Sequence, residues 1–271
     1  MSTTSPPAEK VQLPQAGKWF AVAEGLVGGV FVIGPAAFIY GLSRGTSGWI
    51  LGGLGVMLLL HMVALWGMLR PGSNLAGAVQ TRLPGNAPEV WLTLDDGPDP
   101  ATTPTTLDQL REAGVKATFF VIGARAEAYP ELIDRIVAEG HTLGNHTQTH
   151  PATTYWAADP VTCERELLLC QVALWRLTRQ TIRLFRPPAG LKGLFLHMMT
   201  QRHNVRVVMW SARGLDGVDT DENAIFHRLA PDLTPGAIIL LHEGRPTTPT
   251  LLPRVLAELN RRGLTCVPPR W

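Results

Sequence analysis

Polarity divides this chain into two regimes. Residues 1–18 carry Ser, Thr and Pro without periodicity and read as a disordered tail. Apolar residues then dominate from Trp19 to Leu42, with no charge between Gly25 and Leu42, and again from Gly48 to Leu69. Each run is long enough to cross roughly 30 Å of hydrocarbon as a helix. The link Ser43–Ser47 is short, so residues 19–70 are expected to form a two-helix transmembrane hairpin, about 19–42 and 48–69. Trp19, Tyr40, Trp49 and Trp66 lie near the run ends, where interfacial aromatics sit. Gly25/Gly29 and Gly48/Gly52 have the small-xxx-small spacing that permits close helix approach. A cleaved signal peptide is a poorer reading, because a second apolar run follows at once.

Past residue 70 the pattern changes. Residues 71–89 are rich in Pro and Gly and read as a linker. From residue 90 to 271, short β-prone runs at 90–95, 116–122, 141–145, 182–186, 205–211, 237–242 and 264–267 alternate with helical stretches. Thr103-Pro104, Asp159-Pro160 and Thr248-Pro249 read as a cap followed by proline, and Gly114, Gly140 and Gly263 as helix stops. Repeated βα units imply a parallel sheet, doubly wound or closed as a barrel.

Composition adds little. A net charge of +2 excludes a strong nucleic-acid field, so no nucleic-acid partner is expected. Cys163, Cys170 and Cys266 form neither a disulfide framework nor a zinc pattern. Basic residues flanking the hairpin (Lys10, Lys18, Arg70, Arg82) outnumber Arg44 in its loop. The positive-inside rule therefore favours a cytoplasmic C-terminal domain on a two-pass inner-membrane protein, with an external domain as the alternative. Oligomeric state is not readable.

Polar chemistry gathers where strands should end. Val90–Leu94 runs into the adjacent carboxylates Asp95 and Asp96, and Gly97-Pro98 stops the element. Two neighbouring carboxylates repel, and a divalent cation is the simplest reason to hold them together. A strand ending in an Asp-Gly turn is the plain alternative. His146 and His150 are four apart, a spacing that puts both rings on one face of a helical turn. Two His and one Asp make an open metal site with room for water and substrate. Arg186, Asp216 and His242 fall at other strand ends. His61 in the second run reads as a neutral, hydrogen-bonded ring or an intramembrane functional group, His141 as packed or surface, and His197, His203 and His227 as surface positions.

The segments Thr93-Leu94-Asp95-Asp96-Gly97-Pro98, His146-Thr147-Gln148-Thr149-His150, Arg186-Pro187-Pro188-Ala189-Gly190 and Leu241-His242 resemble, in order, four of the five motifs of the polysaccharide deacetylases of the NodB homology type, carbohydrate esterase family 4. The resemblance covers residues 90 to about 267 and implies a distorted (β/α)7 barrel. It implies that Asp96, His146 and His150 bind a divalent metal, zinc first, with cobalt, manganese or nickel as alternatives. Asp95 would be the general base, Arg186 its orienting partner and His242 the general acid, supported by Asp216. Ala189 and Leu241 would line the substrate and oxyanion region. The fifth motif departs: Arg213 replaces an Asp and Gly217 a Trp that walls the acyl pocket, a role left to Trp210 or Trp156. The implied activity is hydrolysis of an N-acetyl or other N-acyl group on an amino sugar of a glycan or glycolipid by a membrane-anchored enzyme, with the bilayer as a second partner. The alternatives are a deformylase or deacetylase of a lipid-linked sugar at the cytoplasmic face, and a non-catalytic glycan-binding pseudoenzyme.

Overall fold

A computed structural model describes residues 33–75, 77–193 and 195–269. Helix α1 (Gly34–Arg44) turns through Gly45 into α2 (Ser47–Leu69), and the two pack antiparallel. Most of the first expected span, with Gly25 and Gly29, lies outside the described residues. Contact between the helices runs through Gly34, Gly41 and Gly53. A Cβ at Gly53 would fall 2.6 Å from Phe38 N, whereas Gly48 and Gly52 have open space. The expected Gly48/Gly52 face is therefore not the packed one. Helix α2 alone among the described helices is long and apolar enough to cross a membrane. It carries no charge and leaves Leu51, Leu58, Leu59, Met62 and Trp66 exposed. His61 Nδ1 sits 2.7 Å from the Met57 carbonyl, so the helix satisfies the ring locally.

The second region is an α/β fold built on β1 (Glu89–Gly97), β2 (Thr118–Val121), β3 (Thr142–Asn145), β4 (Leu184–Phe185), β5 (Arg206–Val207), β6 (Ala212–Arg213), β7 (Ile238–His242) and β8 (Thr265–Cys266). Helices α3 (Thr103–Glu112), α4 (Gly123–Ala128), α5 (Pro130–Ala138), α6 (Pro160–Thr178), α7 (Leu196–Arg202), α8 (Glu222–Leu229) and α9 (Thr248–Arg261) connect the strands. All strand pairings are parallel, in the order β5-β4-β3-β2-β1-β7-β6, with β8 on the first residues of β1. The sheet curves into a half-barrel and does not close as the expected seven-stranded barrel. Its edges are β5 and β6, and Gln80 pairs with the segment that follows β5: Gln80 N–H donates to the Val207 carbonyl at 2.9 Å, and Met209 N–H to the Gln80 carbonyl at 2.8 Å. The stretch read as a linker is thus partly sewn into the sheet.

Alternation along β1 separates two environments. Val90, Leu92 and Leu94 face the helices with Leu107, Phe119 and Ile239. Trp91 fills the concave interior with Phe120, Leu184 and Ile238, and Thr93 and Asp95 continue up the same face. The helix starts diverge from expectation in an informative way. Asp159 caps α6 by accepting from Val161 and Thr162 N–H. Thr103 and Thr248 do not cap. Thr103 Oγ1 bonds Asp99 N–H and the Glu243 carboxyl, and Thr248 Oγ1 donates to the His242 carbonyl. Both hydroxyls brace site loops instead.

Two histidines make the fold acid-sensitive. His141 is buried, and its Nδ1 accepts the Ala117 N–H, which requires a neutral ring. His197, expected at the surface, is buried because its ring packs on Gly77. Burial, aided by Lys116 at His141 and by Lys192 at His197, pushes each down to about 4. Each therefore binds fewer protons folded than unfolded below about pH 6.5. The stability these two neutral rings contribute is expected to be full above pH 6.5 and to fall as pH drops toward 4. Thermal melts of the parent and His197→Asn across that window would show a shallower slope in the variant, and identical slopes would refute this.

Candidate active site

The C-terminal ends of the strands form one cleft of about 240 Å³. Its lining includes Asp95, Asp96, His146, His150, Ala189, Asp216 and His242. Each is placed by a local feature. Asp95 stands opposite His242 in the β1–β7 register, so a strand pair fixes their separation. Asp96 follows at φ 70°, the left-handed turn that swings its carboxylate toward the β3 loop, and Arg125 Nη1 donates to its carbonyl at 2.8 Å.

His146 and His150 do meet, with ring centroids 4.8 Å apart. They lie on a loop rather than the expected helical turn. Thr147 (φ 69°) and His150 (φ 55°) reverse the chain, and Asn145 Oδ1 and Thr147 Oγ1 accept the N–H groups of Thr147 and His150. Glu166 of α6 holds this loop by accepting Thr149 N–H at 2.8 Å and its hydroxyl at 2.9 Å. Left-handed non-glycine backbone costs on the order of 1–3 kcal/mol per residue, so such a cluster persists only where surrounding contacts enforce it.

His146 Nδ1 donates to the Arg186 carbonyl at 2.7 Å, which directs Nε2 into the cleft. There Asp96 Oδ1 lies 3.4 Å from His146 Nε2 and 3.2 Å from His150 Nε2. One ligand atom from each residue falls within 4.8 Å of the others. Burial alone would raise the Asp96 pKa, but the hydrogen bond and charge of His146, with His150 and His242, hold its carboxyl well below the usual range. Burial pushes His150 down to about 4, so its ring is neutral at pH 7, the form that binds metal. These donors fit a divalent cation with positions left open.

Arg186 is fully buried beneath the cleft. Nη1 donates to Asp95 Oδ1 at 2.6 Å and to Thr93 Oγ1 at 2.9 Å, Nε to the Val208 carbonyl and Nη2 to the Met209 carbonyl. Its guanidinium lies 4.1 Å from the Phe120 ring centroid. Asp216, also buried, accepts His242 N–H at 2.7 Å and lies 3.0 Å from His242 Nδ1. Burial opposes charge on His242, yet Asp216 raises its pKa above the ordinary imidazole value.

Ala189 (φ 54°) forms part of the wall, and Trp210 packs on Gly190 beside it. Trp210, not Trp156, lines the cleft. Leu241 does not: strand alternation turns it into the outer core with Leu94, and Leu240 faces the cleft instead. Gly217 lies against His242, where a Cβ would sit 3.0 Å from Nε2. Glu166, Thr93, Arg125 and Glu243 escaped the sequence reading. Glu166 alone had a signal there, an acid between Cys163 and Cys170 on the buried stripe of α6. Glu243 is buried under Gly97 and bonded by Thr103, and burial pushes its carboxyl up to about 8.

At the strand ends of a parallel α/β half-barrel, an Asp-His-His cluster, an Arg-held carboxylate and an Asp-supported imidazole put a candidate cation site beside a base and an acid, the parts of a hydrolase. The sequence pattern of the polysaccharide deacetylases matches residues 82–208. The chitooligosaccharide deacetylase of Sinorhizobium fredii is 40% identical over 161 residues, covering 59% of this chain and 74% of that protein. The chain belongs to the polysaccharide deacetylase family, carbohydrate esterase family 4, enzymes acting on N-acetyl groups. The crystal structure of a peptidoglycan N-acetylglucosamine deacetylase superposes with a TM-score of 0.66 at 30% identity, covering 70% of this chain and 89% of that one. A mutant family 4 pseudoenzyme with restored enzymatic activity superposes at 0.65 and 26% identity, covering 70% and 68%.

Proposed function

We propose that this protein is a metal-dependent N-deacylase, anchored in a membrane by α2, that removes an acetyl group from an N-acetylated amino sugar. The observation that carries this reading is the joint presence, in one cleft, of three candidate ligands, a carboxylate fixed by Arg186 and an imidazole fixed by Asp216. Asp96, His146 and His150 would hold the cation, zinc first among the candidates. When bound, the cation polarises the acyl carbonyl and makes water acidic enough to attack near neutral pH.

The remaining steps belong to side chains. Asp95, aligned by Arg186, takes the proton of the attacking water. Among the described residues the Ala189 N–H has no hydrogen-bond acceptor, so it is available to the developing oxyanion. His242, whose protonated form Asp216 favours, donates to the departing amine, which is a poor leaving group until it gains that proton. A binding-only pseudoenzyme is disfavoured because base, acid and all three ligands are retained together. The first span, the two-pass hairpin and a cytoplasmic catalytic domain remain part of the proposal, on the apolar length of residues 19–42 and the flanking basic residues.

Acetate release from N-acetylchitotetraose by the full chain in detergent tests the reading. Chelation should lower the rate at least about 100-fold, and added zinc should restore it. A rate indifferent to chelation would refute metal dependence, and no release with zinc bound would refute this substrate class.

A further inference from the structure

Helix α6 is apolar on two faces. Its inner stripe, Cys163, Leu167, Cys170 and Leu174, is buried in the core. Its outer stripe, Val161, Leu168, Leu169, Val172 and Trp175, is exposed, Val161 at 74% and Trp175 at 49%. Steps of three and four residues put these five in one row, about 21 Å long from Val161 to Trp175. Among the described residues outside the α1–α2 hairpin, they are five of the eight large apolar side chains left exposed, so the exposure is concentrated on one helix. Other surface helices are ordinary: α3 turns Arg111 and Glu112 to solvent, and α9 turns out Asn260 and Arg261. A helix apolar all round is normally covered all round.

Charge on this face has one sign. Arg165 and Arg176 lie in the exposed row, and Arg179 follows at the C-cap. Among the described residues none of the three has a carboxylate partner, and Arg179 lies 4.6 Å from the Trp175 ring centroid. The acids of α6 point elsewhere: Glu164 is held by Arg202 and His203, and Glu166 by the His146–His150 loop. An apolar row with unpaired arginines and no acid matches an anionic bilayer surface. Its apolar side chains enter the acyl boundary while the guanidiniums reach lipid phosphates. A second copy of the same face would set arginine against arginine.

The flank that carries α6 is also the flank tied to α2. Glu164 reaches Arg202 at 3.2 Å and His203 at 2.6 Å, at the end of α7. Just before α7, Lys192 N–H donates to the Met68 carbonyl in the last turn of α2 at 3.2 Å, and the His197 ring of α7 packs on Gly77. Helix α7 thus links α6 to the end of the apolar helix. That end carries Trp66 and Arg70 stacked at 5.2 Å, the same four-residue spacing as Trp175 and Arg179.

We propose that the outer face of α6 is a second membrane contact, which docks the catalytic region on anionic lipid beside α2. The inference rests on α2 as a membrane span and is independent of the deacylase chemistry.

An environment-sensitive fluorophore would be attached to Leu169→Cys, to Leu58→Cys of α2 and to Ala257→Cys of α9, each in the full chain. The vesicles would contain phosphatidylcholine and phosphatidylglycerol, and the parent, whose cysteines are buried or half-buried, sets the labelling background. A nitroxide lipid quenches by contact. With the nitroxide near the headgroup, quenching at position 169 should exceed that at 257 at least about threefold. Replacing Arg165, Arg176 and Arg179 together by Gln should lower the docked-to-undocked ratio about 100-fold, about fivefold per basic residue near an anionic surface. Quenching at 169 should then fall to the level at 257, and vesicles of phosphatidylcholine alone should lower it in the same direction. The three arginines are exposed, so the variant is expected to fold, and an unchanged melting temperature would verify it. Quenching at 169 no greater than at 257, or unmoved by the triple variant, overturns the proposal. Shielding of 169 from aqueous iodide without lipid quenching, in particles holding two copies, assigns the face to a second copy and overturns it as well. Position 58 reports α2 separately, through a nitroxide deep in the acyl chains. Without quenching there, the membrane-span reading falls too; with it, only the docking of α6 is at stake.

Discussion

Asp95→Asn is expected to lower kcat/KM for acetate release by about 10²- to 10⁴-fold, the usual contribution of a positioned general base. The substitution is nearly isosteric. It retains an oxygen for the Arg186 Nη1 contact at 2.6 Å, so the cleft should keep its shape. It removes the negative charge of a cleft carboxylate that lies outside the ligand cluster. Asp95 Oδ2 lies 3.7 Å from His146 Nε2, farther than either Asp96 contact, and Asp95 is outside the triad whose atoms fall within 4.8 Å. Zinc affinity, read by competition with a chromophoric chelator, should therefore change less than about threefold while turnover collapses. A variant that loses zinc instead would make Asp95 a ligand. One that keeps near-parental turnover would remove it from the chemistry.

Much of the site was legible because its residues lie directly at the ends of apolar runs. β1 and β7 each deliver a polar residue straight from a buried strand, and their register then sets Asp95 opposite His242. The same alternation assigns Leu240, not Leu241, to the cleft, so period two was a better guide there than motif resemblance. Other features depend on contacts distant in sequence. Gln80 pairs with Val207 and Met209 from more than 120 positions away, and β6 is two residues long, too short for any pattern. Thr103 and Thr248 looked like caps, but the hydroxyls were drawn to Glu243 and to the His242 carbonyl by the folding of other strands. The His146–His150 spacing fitted a helix. The loop that realises it needs two left-handed residues and Glu166 from α6, none of which a four-residue spacing encodes.

Arg186→Met is expected to produce the largest loss of stability, about 3–5 kcal/mol, the range for removing one partner of a buried ion pair. The guanidinium is fully buried and ties together two strands and the segment between β5 and β6: Thr93 and Asp95 of β1, its own place beyond β4, and the Val208 and Met209 carbonyls. Methionine fills similar volume but offers no donor, so two buried carbonyls lose a partner and Asp95 must be left charged or take up a proton. Its own main-chain carbonyl still receives His146 Nδ1, so the ligand cluster should assemble wherever the fold survives. Urea unfolding of the parent, Arg186→Met, Asp95→Asn and the double variant would separate the contributions. Removing both charges should cost less than the sum of the single changes, because the second substitution relieves the carboxylate stranded by the first. Strict additivity would mean that Arg186 acts through the carbonyls alone, and a loss under about 1 kcal/mol would show that the half-barrel does not depend on this hub.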